Sequence, residues 1–575
     1  MVKVVIIGGG IAGLSAATLL CDISNINIEI YEKENELGGQ ATSLYNNNNC
    51  STEHCARVLG KSYHNIWYIF NNILNINNHF QNLQNDCLLT DDAVSKTTPK
   101  FSNLIPHILN TTKINNYYKY FDFFLLCKNR IINSYDNINA LNYFDNNDIV
   151  KSIIGPYMGL EATKLSISSL FKNMYQIKDS TNYNFTPEIS QITTTPTNDA
   201  IFNDWEKYII NKNVKIYKNS ILQDVHIKNK KIKYIIINSK QIFADEFIFA
   251  CSLKPLNAVL SNKYKCNTFE NMKKLENNMQ LYFAINVYFN RKINMKCDNF
   301  ILIKETWKPV IQRKTHWPDE IIQKCKNNNT HVKEIWNISI IDFIKGNKYN
   351  KILRECTIEE ATDEALCQIK NNKYIINVMK KNNTTFDDIY IGYDVWHQNK
   401  NSSETFPINN NSNITMSSMT DLKISDLNPK FSPNEGTMHL TPETHPPDIP
   451  ENMSLAAYYC KNSYGGANME ASCETGLNAG KYILDKYNFK NNTILPIKHT
   501  NNMFVQSPIL WPFVKLDELL YYNKMDPITK YINSFYLFIF IVLVCIILII
   551  FVIYLIFINK NTIYKYVKKM VKSKK

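Results

Sequence analysis

The stretch Val2-Lys-Val-Val-Ile-Ile-Gly-Gly-Gly-Ile-Ala-Gly13 decides the fold of this chain. Its first six residues have the β-branched character of a buried strand, and three glycines follow them directly. Residues 14–20 then form an apolar run that predicts a helix, and residues 26–31 alternate isoleucine with polar residues, as a second strand does. This order of strand, glycine turn, helix and strand predicts a βαβ unit within an α/β fold.

Each glycine of the pattern Gly8-x-Gly10-x-x-Gly13 has its own physical task. The first allows a tight turn, the second lets a phosphate approach the main chain, and the third lets the helix pack closely on the strand. The helix N-terminus offers amides and the positive end of its dipole. Glu32 ends the second strand, where a carboxylate can accept hydrogen bonds from a ribose. The alternative is a glycine-rich turn without a ligand, but this context favours a dinucleotide site.

A second glycine pair, Gly38-Gly39, closely follows Glu32, and such a pair is typical of FAD enzymes rather than NAD enzymes. With these residues the chain resembles the flavin amine-oxidase and phytoene-desaturase superfamily. The resemblance implies FAD as the cofactor and a three-layer, Rossmann-type FAD-binding domain with an inserted α+β substrate domain. The cofactor-binding residues that it implies are Gly8, Gly10, Gly13, Glu32, Gly38, Gly39, Gln40, Leu222, Tyr458, Met469 and Glu470.

The later segments carry the rest of this resemblance. A strand near Leu222 is similar to the one whose main chain meets the adenine in that superfamily, and Met469-Glu470 resembles the start of a helix whose amides face the flavin pyrimidine. The stretches Glu305-Thr-Trp307 and Leu440-Thr-Pro442 look most like the polyprenoid branch, which includes the relatives of hydroxysqualene dehydroxylase.

Three positions depart from the superfamily's pattern. Tyr458 stands where the relatives usually carry an acid that binds the ribitol chain, and Gln40 stands where an arginine often follows the glycine pair. Ala471 replaces the glycine that commonly follows Met-Glu. Each change could weaken FAD binding, so a relative that has lost its chemistry is one of the hypotheses.

The sequence also predicts how the chain divides into domains. The FAD-binding domain is discontinuous, with the substrate domain inserted into it, and a linker leads to a transmembrane helix and a basic tail. The predicted ranges are 1–85, 197–260 and 440–490 for the FAD-binding domain, 86–196 and 261–439 for the substrate domain, 491–534 for the linker, 535–558 for the transmembrane helix and 559–575 for the tail.

Residues 535–558 are 24 residues without a charge, enough for a helix that crosses the roughly 30 Å apolar core of a bilayer. The sequence therefore predicts a single-pass C-terminal anchor in contact with membrane lipid. Because the stretch lies so late, we expect insertion after translation and a large domain in the cytosol. Seven lysines of the tail account for much of the net charge of +13. The sequence has no basic stripe interleaved with aromatic residues, so we expect no nucleic-acid partner.

The fourteen cysteines are scattered, without a Cys-x-x-Cys pair, and this predicts no structural metal site. With no secretory signal before the first strand, they indicate a reducing compartment. The sequence identifies no catalytic acid or base, and a flavin accepts a hydride without strictly needing one. Glu53, His54 and Arg57 lie where relatives place a segment that passes near the flavin, and the alternative is an ordinary polar loop.

Three hypotheses for the function follow. The leading one is an FAD-dependent oxidase, dehydrogenase or desaturase for a small hydrophobic molecule, with polyprenoids as one candidate. The second is a flavin-containing amine or polyamine oxidase. The third is a membrane-anchored scaffold without chemistry, which the departures at Tyr458 and Ala471 motivate.

Overall fold

In the computed structural model, Val2–Ile7 is the central strand of a five-stranded parallel sheet. It pairs with Ile26–Tyr31 on one side and with Glu246–Phe249 on the other. In spatial order the five strands are Lys215–Tyr217, Ile26–Tyr31, Val2–Ile7, Glu246–Phe249 and Met453–Leu455. Counted along the chain this order is 3-2-1-4-5, which is that of a Rossmann-type sheet. The prediction of an α/β fold with a parallel sheet is confirmed.

The parallel sheet is the middle of three layers. Val4 and Ile6 point to one face and join a core that includes the helices Ile11–Leu20 and Met469–Lys486. Val5 and Ile7 point to the other face and pack against an antiparallel three-stranded sheet. Its strands are Leu222–Lys228, Lys231–Ile237 and Lys240–Ile242. The strand is buried on both faces, which explains why its sequence is a continuous apolar run.

A second large sheet has seven strands and is antiparallel except where Asn299–Leu302 pairs with Asp86–Thr90. Its strands in spatial order are Tyr390–Val395, Tyr282–Phe289, Glu334–Ile341, Val310–Arg313, Asn299–Leu302, Asp86–Thr90 and Ala93–Val94. The helix Ile358–Asn371 contributes to the same core, and Thr357 and Glu360 form a capping box at its start. These strands fall in the ranges predicted for the substrate domain, but that division of the chain stays a prediction.

The remaining elements are short. Ser43–Tyr45 and Ser51–Glu53 form a hairpin. Small sheets are made by Val58–Leu59, Phe80–Asn82 and Gln191–Thr193, and by Lys326–Asn327 with Thr330–His331. The other helices are His64–Tyr68, Lys128–Ser134, Ala140–Tyr143, Ile167–Lys178, Asn203–Asn211, Leu253–Leu260, Asn267–Glu276, Asp319–Lys324, Lys373–Lys381, Phe386–Ile389 and Trp511–Tyr522, with a π-helical turn at Asn198–Phe202.

The chain forms two compact units, Met1–Ser102 with Tyr135–Met503 and Asn103–Ser134 with Phe504–Lys575. Both large sheets lie in the first unit. The structure describes residues 1–94, 125–144, 164–178, 186–396, 436–490 and 511–527, with short gaps at 47–48, 56, 84–85, 91–92, 261–262, 280, 303, 328–329 and 342–343, and also the single positions 543, 544, 547 and 554.

Most of the expected membrane span, 535–558, lies outside the described residues. Within the part of the chain that the structure describes, no helix combines the length and the apolar character needed to cross a bilayer. The four described positions of the span, Leu543, Val544, Ile547 and Tyr554, have helical main chain and exposed side chains. The anchor therefore remains a prediction.

One pair of cysteines contradicts the expectation of reduced thiols. Cys50 and Cys325 form a disulfide that joins the Ser43–Glu53 hairpin region to the end of the helix Asp319–Lys324. Their separation of 275 residues hid the pairing from the sequence, since only the folded chain brings them together. Nine other described cysteines are free, and the compartment stays a prediction.

Candidate functional site

The glycine turn after the first strand is as tight as its sequence predicts. Gly8 has a φ of +108°, and a Cβ there would stand 2.4 Å from the Ala250 carbonyl oxygen. A Cβ on Gly13 would stand 2.0 Å from the Gly8 carbonyl oxygen. The protein's own packing therefore requires the first and third glycines, because a side chain on Gly8 would collide with Ala250 and one on Gly13 would collide with the turn at Gly8.

Gly10 is different because the protein itself does not need it to be glycine. Its main chain is extended, with φ −77° and ψ −178°, and the nearest atom to an added Cβ is the Gly39 Cα at 3.6 Å. Gly39 faces it with a φ of +59°, and the Gly38 amide donates to the Gly9 carbonyl over 2.9 Å. Two main-chain segments without side chains thus face each other at the start of the first helix. A phosphate can approach main-chain amides only where such side chains are missing.

Glu32 lies beside this turn, at the end of the second strand. Its carboxylate accepts hydrogen bonds from the Gly9 amide, at 2.6 Å, and from the Glu34 amide, at 3.0 Å. Burial raises the pKa of this carboxyl, and the two amide hydrogen bonds oppose that rise only in part. The Ser220 amide donates to the Glu32 carbonyl over 2.8 Å, so the segment that leads into the strand beginning at Leu222 runs next to the acid. The structure therefore brings the predicted ribose and adenine residues to the same edge.

Gln40 and Tyr458 contact each other, although 418 residues separate them. The Gln40 side-chain amide donates to the Tyr458 hydroxyl over 3.3 Å. Arg57 donates to the Gln40 carbonyl over 3.3 Å and to the Thr197 hydroxyl over 3.2 Å. Two of the three positions that depart from the expected pattern are thus in contact, and a neutral hydrogen bond stands where an arginine and an acid were expected.

The helix Met469–Lys486 begins near the same edge. Gly476 crosses the first helix so closely that a Cβ there would stand 2.1 Å from the Ala12 carbonyl oxygen. Seven residues of the helix precede Gly476, so its start lies about 10 Å beyond this crossing. The Asn468 side chain accepts the Ala471 amide over 2.7 Å. Among the described residues, the amides of Met469 and Glu470 have no acceptor, which suits a helix N-terminus that meets a ligand.

The Glu470 side chain has a structural task. Its buried carboxylate accepts the amides of residues 65 and 66 over 2.9 and 3.0 Å and the Asn65 side chain over 2.8 Å, and so caps the helix His64–Tyr68. Any cofactor contact of Glu470 would have to come from its amide. One helical turn later, Glu474 accepts the Ser463 hydroxyl over 2.8 Å, and burial raises its pKa to about 7.

A buried ion pair lies next to the arginine that reaches Gln40, and sequence reasoning missed its cationic member. Glu53 accepts the Lys314 ammonium over 2.5 Å and the Thr197 amide over 3.0 Å, and both charged side chains are almost fully buried. Burial alone would raise the pKa of Glu53, but Lys314 and Arg57 hold it below its ordinary value, so the carboxylate stays ionised. Glu53 and Arg57 therefore form a satisfied polar cluster, and Glu53 is directed towards Lys314.

A cluster of aromatic rings lies near the segment that follows Gly38-Gly39 in the sequence, and Tyr282 of the seven-stranded sheet contributes to it. The His54 ring lies 4.4 Å from that of Trp396 and 5.0 Å from that of Tyr282. The Trp396 indole donates to the Thr42 carbonyl over 3.0 Å, three residues after Gly39. Such rings can contact an apolar chain or an ammonium group. His397 and residues 398–435 lie outside the described residues, and the described part holds no group of three or more potential metal ligands.

Residues 6–73 match the family described as NAD(P)-binding Rossmann-like domain. No curated protein matches the sequence. Among solved structures, an oxidoreductase from Methanosarcina mazei is similar over 83% of this chain and 100% of its own, at 12% identity and a TM-score of 0.54. Reduced UDP-galactopyranose mutase is similar over 88% of this chain and 99% of its own, at 12% identity and a TM-score of 0.57. At these identities the likeness shows the fold alone: over most of its length the chain shares a Rossmann-like architecture with these proteins.

Proposed function

We propose that the chain is an FAD-dependent oxidoreductase. The single observation that carries the proposal is the pair of facing glycines, Gly10 and Gly39, since the fold does not need a glycine at Gly10. Glu32 beside them suits a ribose. The amides of Met469 and Glu470, which have no acceptor among the described residues, suit the far end of a long cofactor. The spread of these groups along one edge fits FAD better than a shorter ligand.

The residues that would hold FAD are those of this edge. The amides that follow Gly10 would receive the pyrophosphate, the Glu32 carboxylate the ribose hydroxyls, and the Met469 and Glu470 amides an electronegative edge of the flavin. Leu222 would contribute the strand next to the adenine, and Gln40 with Tyr458 would meet the ribitol region. When bound, FAD supplies a hydride acceptor, while the protein binds and orients the substrate.

We propose a small hydrophobic molecule as the substrate, with polyprenoids as one candidate. The support is the aromatic cluster of His54, Tyr282 and Trp396 beside the glycine pair, together with the apolar stretch 535–558, which we propose to be a membrane anchor. A second candidate is an amine or polyamine substrate, because the same rings can hold an ammonium group. The scaffold hypothesis requires that FAD is absent or that no substrate reduces it.

Anaerobic reduction of the bound flavin separates these candidates. The purified full-length chain in detergent is mixed with a polyprenoid alcohol, a polyprenoid hydrocarbon or a polyamine, and loss of the visible flavin absorbance is followed. The proposal predicts bleaching by a polyprenoid and none by the polyamine. Bleaching by the polyamine alone would favour the amine oxidase, and an FAD-loaded protein that no compound reduces, although dithionite does, would favour the scaffold.

A further inference from the structure

The helix Trp511–Tyr522 in the second compact unit buries one charged residue, Asp517, beside one apolar residue, Phe513. Its inner face holds a charge: Asp517 is 2% exposed and accepts the Arg130 guanidinium over 2.8 Å and the Cys127 amide over 2.8 Å. Arg130 also lies over the Tyr521 ring at 5.6 Å. This pairing fixes the helix against Lys128–Ser134, so the direction in which its outer face points within this unit is well determined.

The outer face of the same helix is mostly apolar and includes the ion pair of Lys515 with Glu518. Leu519 is 60% exposed and Tyr522 is 65% exposed, and the other exposed apolar side chains here are Trp511, Leu516 and Met525. At 100° per residue, positions 511, 515, 519 and 522 lie on one side of a helix. The Lys515 ammonium lies 5.9 Å from the centre of the Trp511 ring and pairs with Glu518, so its stem covers part of this side. An exposed apolar face with a charge buried behind it marks an interaction surface.

We propose that this outer face lies in the interface of a lipid bilayer. Nine residues, 526–534, separate Met525 from the start of the uncharged stretch 535–558, so ten Cα–Cα steps of extended chain span at most about 35 Å. Tryptophan and tyrosine prefer the membrane–water interface. Lys515 lies within this face and Lys524 follows the end of the helix, and their long side chains can reach anionic headgroups. The proposal rests on the proposed anchor for the nearness of the bilayer, but not on the FAD site.

Site-specific photocrosslinking in the full-length chain tests this. Leu519 is replaced by benzoylphenylalanine, and the matched control carries the same group at Ile376, an exposed apolar residue of the helix Lys373–Lys381. Both proteins are reconstituted into phosphatidylcholine vesicles, with or without phosphatidylserine, and irradiated. We expect lipid adducts several-fold more often at position 519 than at 376, and more of them when phosphatidylserine is present.

Other outcomes overturn the proposal. A crosslinked dimer without lipid adducts would show that a second copy covers the face, and equal yields at both positions would show no preference for lipid. Extraction of the vesicles with alkaline carbonate tests the anchor separately. A chain that stays in the membrane but gives no lipid adduct at position 519 would keep the anchor proposal and refute only the lipid contact of this helix. The flavin absorbance of the same samples reports on the proposed enzyme independently.

Discussion

Replacing Gly10 with alanine should separate cofactor binding from folding. The added Cβ would be 3.6 Å from its nearest neighbour, the Gly39 Cα, and the main chain at Gly10 is extended, so nothing in the protein has to move. Alanine is a poorer N-cap than glycine and lowers the free energy of unfolding by up to about 1 kcal/mol. Alanine also makes the unfolded chain stiffer, which raises the free energy of unfolding by about 0.4–1 kcal/mol. The free energy of unfolding without cofactor should therefore change by less than about 1 kcal/mol.

The matched control is Gly13→Ala. Here the Cβ would stand 2.0 Å from a main-chain oxygen, which cannot turn away as a side chain can. Forcing extra atoms into a packed interior typically costs about 1–3 kcal/mol, and this contact lies at or above the upper end. Gly13→Ala should thus unfold at a clearly lower temperature in the absence of FAD, whereas Gly10→Ala should not.

Gly10→Ala should lose much of its affinity for FAD, although its stability should hardly change. A methyl group at Gly10 occupies the space through which the pyrophosphate approaches the amides, and losing two hydrogen bonds to a charged group costs about 3 kcal/mol or more. The Kd for FAD should rise at least about 100-fold. Quenching of flavin fluorescence gives the Kd, and thermal unfolding with and without FAD gives the stability. Wild-type affinity in Gly10→Ala, or unfolding of that variant as early as Gly13→Ala, would refute the reasoning.

Three further predictions concern other parts of the first unit. Burial raises the pKa of Glu474 from 4.5 to about 7, so between these pH values the folded protein keeps a proton that the unfolded chain releases. The free energy of unfolding should therefore fall by about 3 kcal/mol as the pH rises from 4.5 to 7. Denaturant unfolding of Glu474→Gln should not show this fall, and a pH profile identical to that of the wild type would contradict the prediction. Replacing Cys50 and Cys325 with serine should lower the stability by up to about 5 kcal/mol, and alkylation of both thiols in unreduced wild-type protein would show that the bond is absent. Tyr458→Phe removes the hydroxyl that accepts the Gln40 amide, so the Kd for FAD should rise about fivefold; an unchanged Kd in the fluorescence titration would place this pair away from the cofactor.

The local part of the fold could be predicted from the sequence because its causes are local. The turn Gly8–Gly13 follows from φ and packing limits at single glycines, and the capping box of Thr357 and Glu360 marks the start of the helix Ile358–Asn371. The parallel sheet followed from the βαβ order. The helix Asn203–Asn211 is preceded by the π-helical turn Asn198–Phe202, which no periodic pattern reveals.

The contacts that complete the site could not be predicted, because they join residues far apart in sequence. Gln40 meets Tyr458 across 418 residues, and Glu53 meets Lys314 across 261. Nothing near Lys314 in the sequence distinguishes it from other lysines, since its burial is a product of the seven-stranded sheet. The side-chain role of Glu470 was hidden for the same reason, as its partners are the amides of residues 65 and 66.

The most direct test of the account is the cofactor of the purified full-length chain. The protein is isolated in detergent, its absorbance spectrum is recorded, and FAD and NAD(P) are each titrated into it after the native cofactor has been removed. The account predicts a yellow protein that rebinds one FAD per chain and does not bind NAD(P) in its place. A folded, colourless protein that ignores FAD, or one that binds NAD(P) at this edge instead, would contradict it.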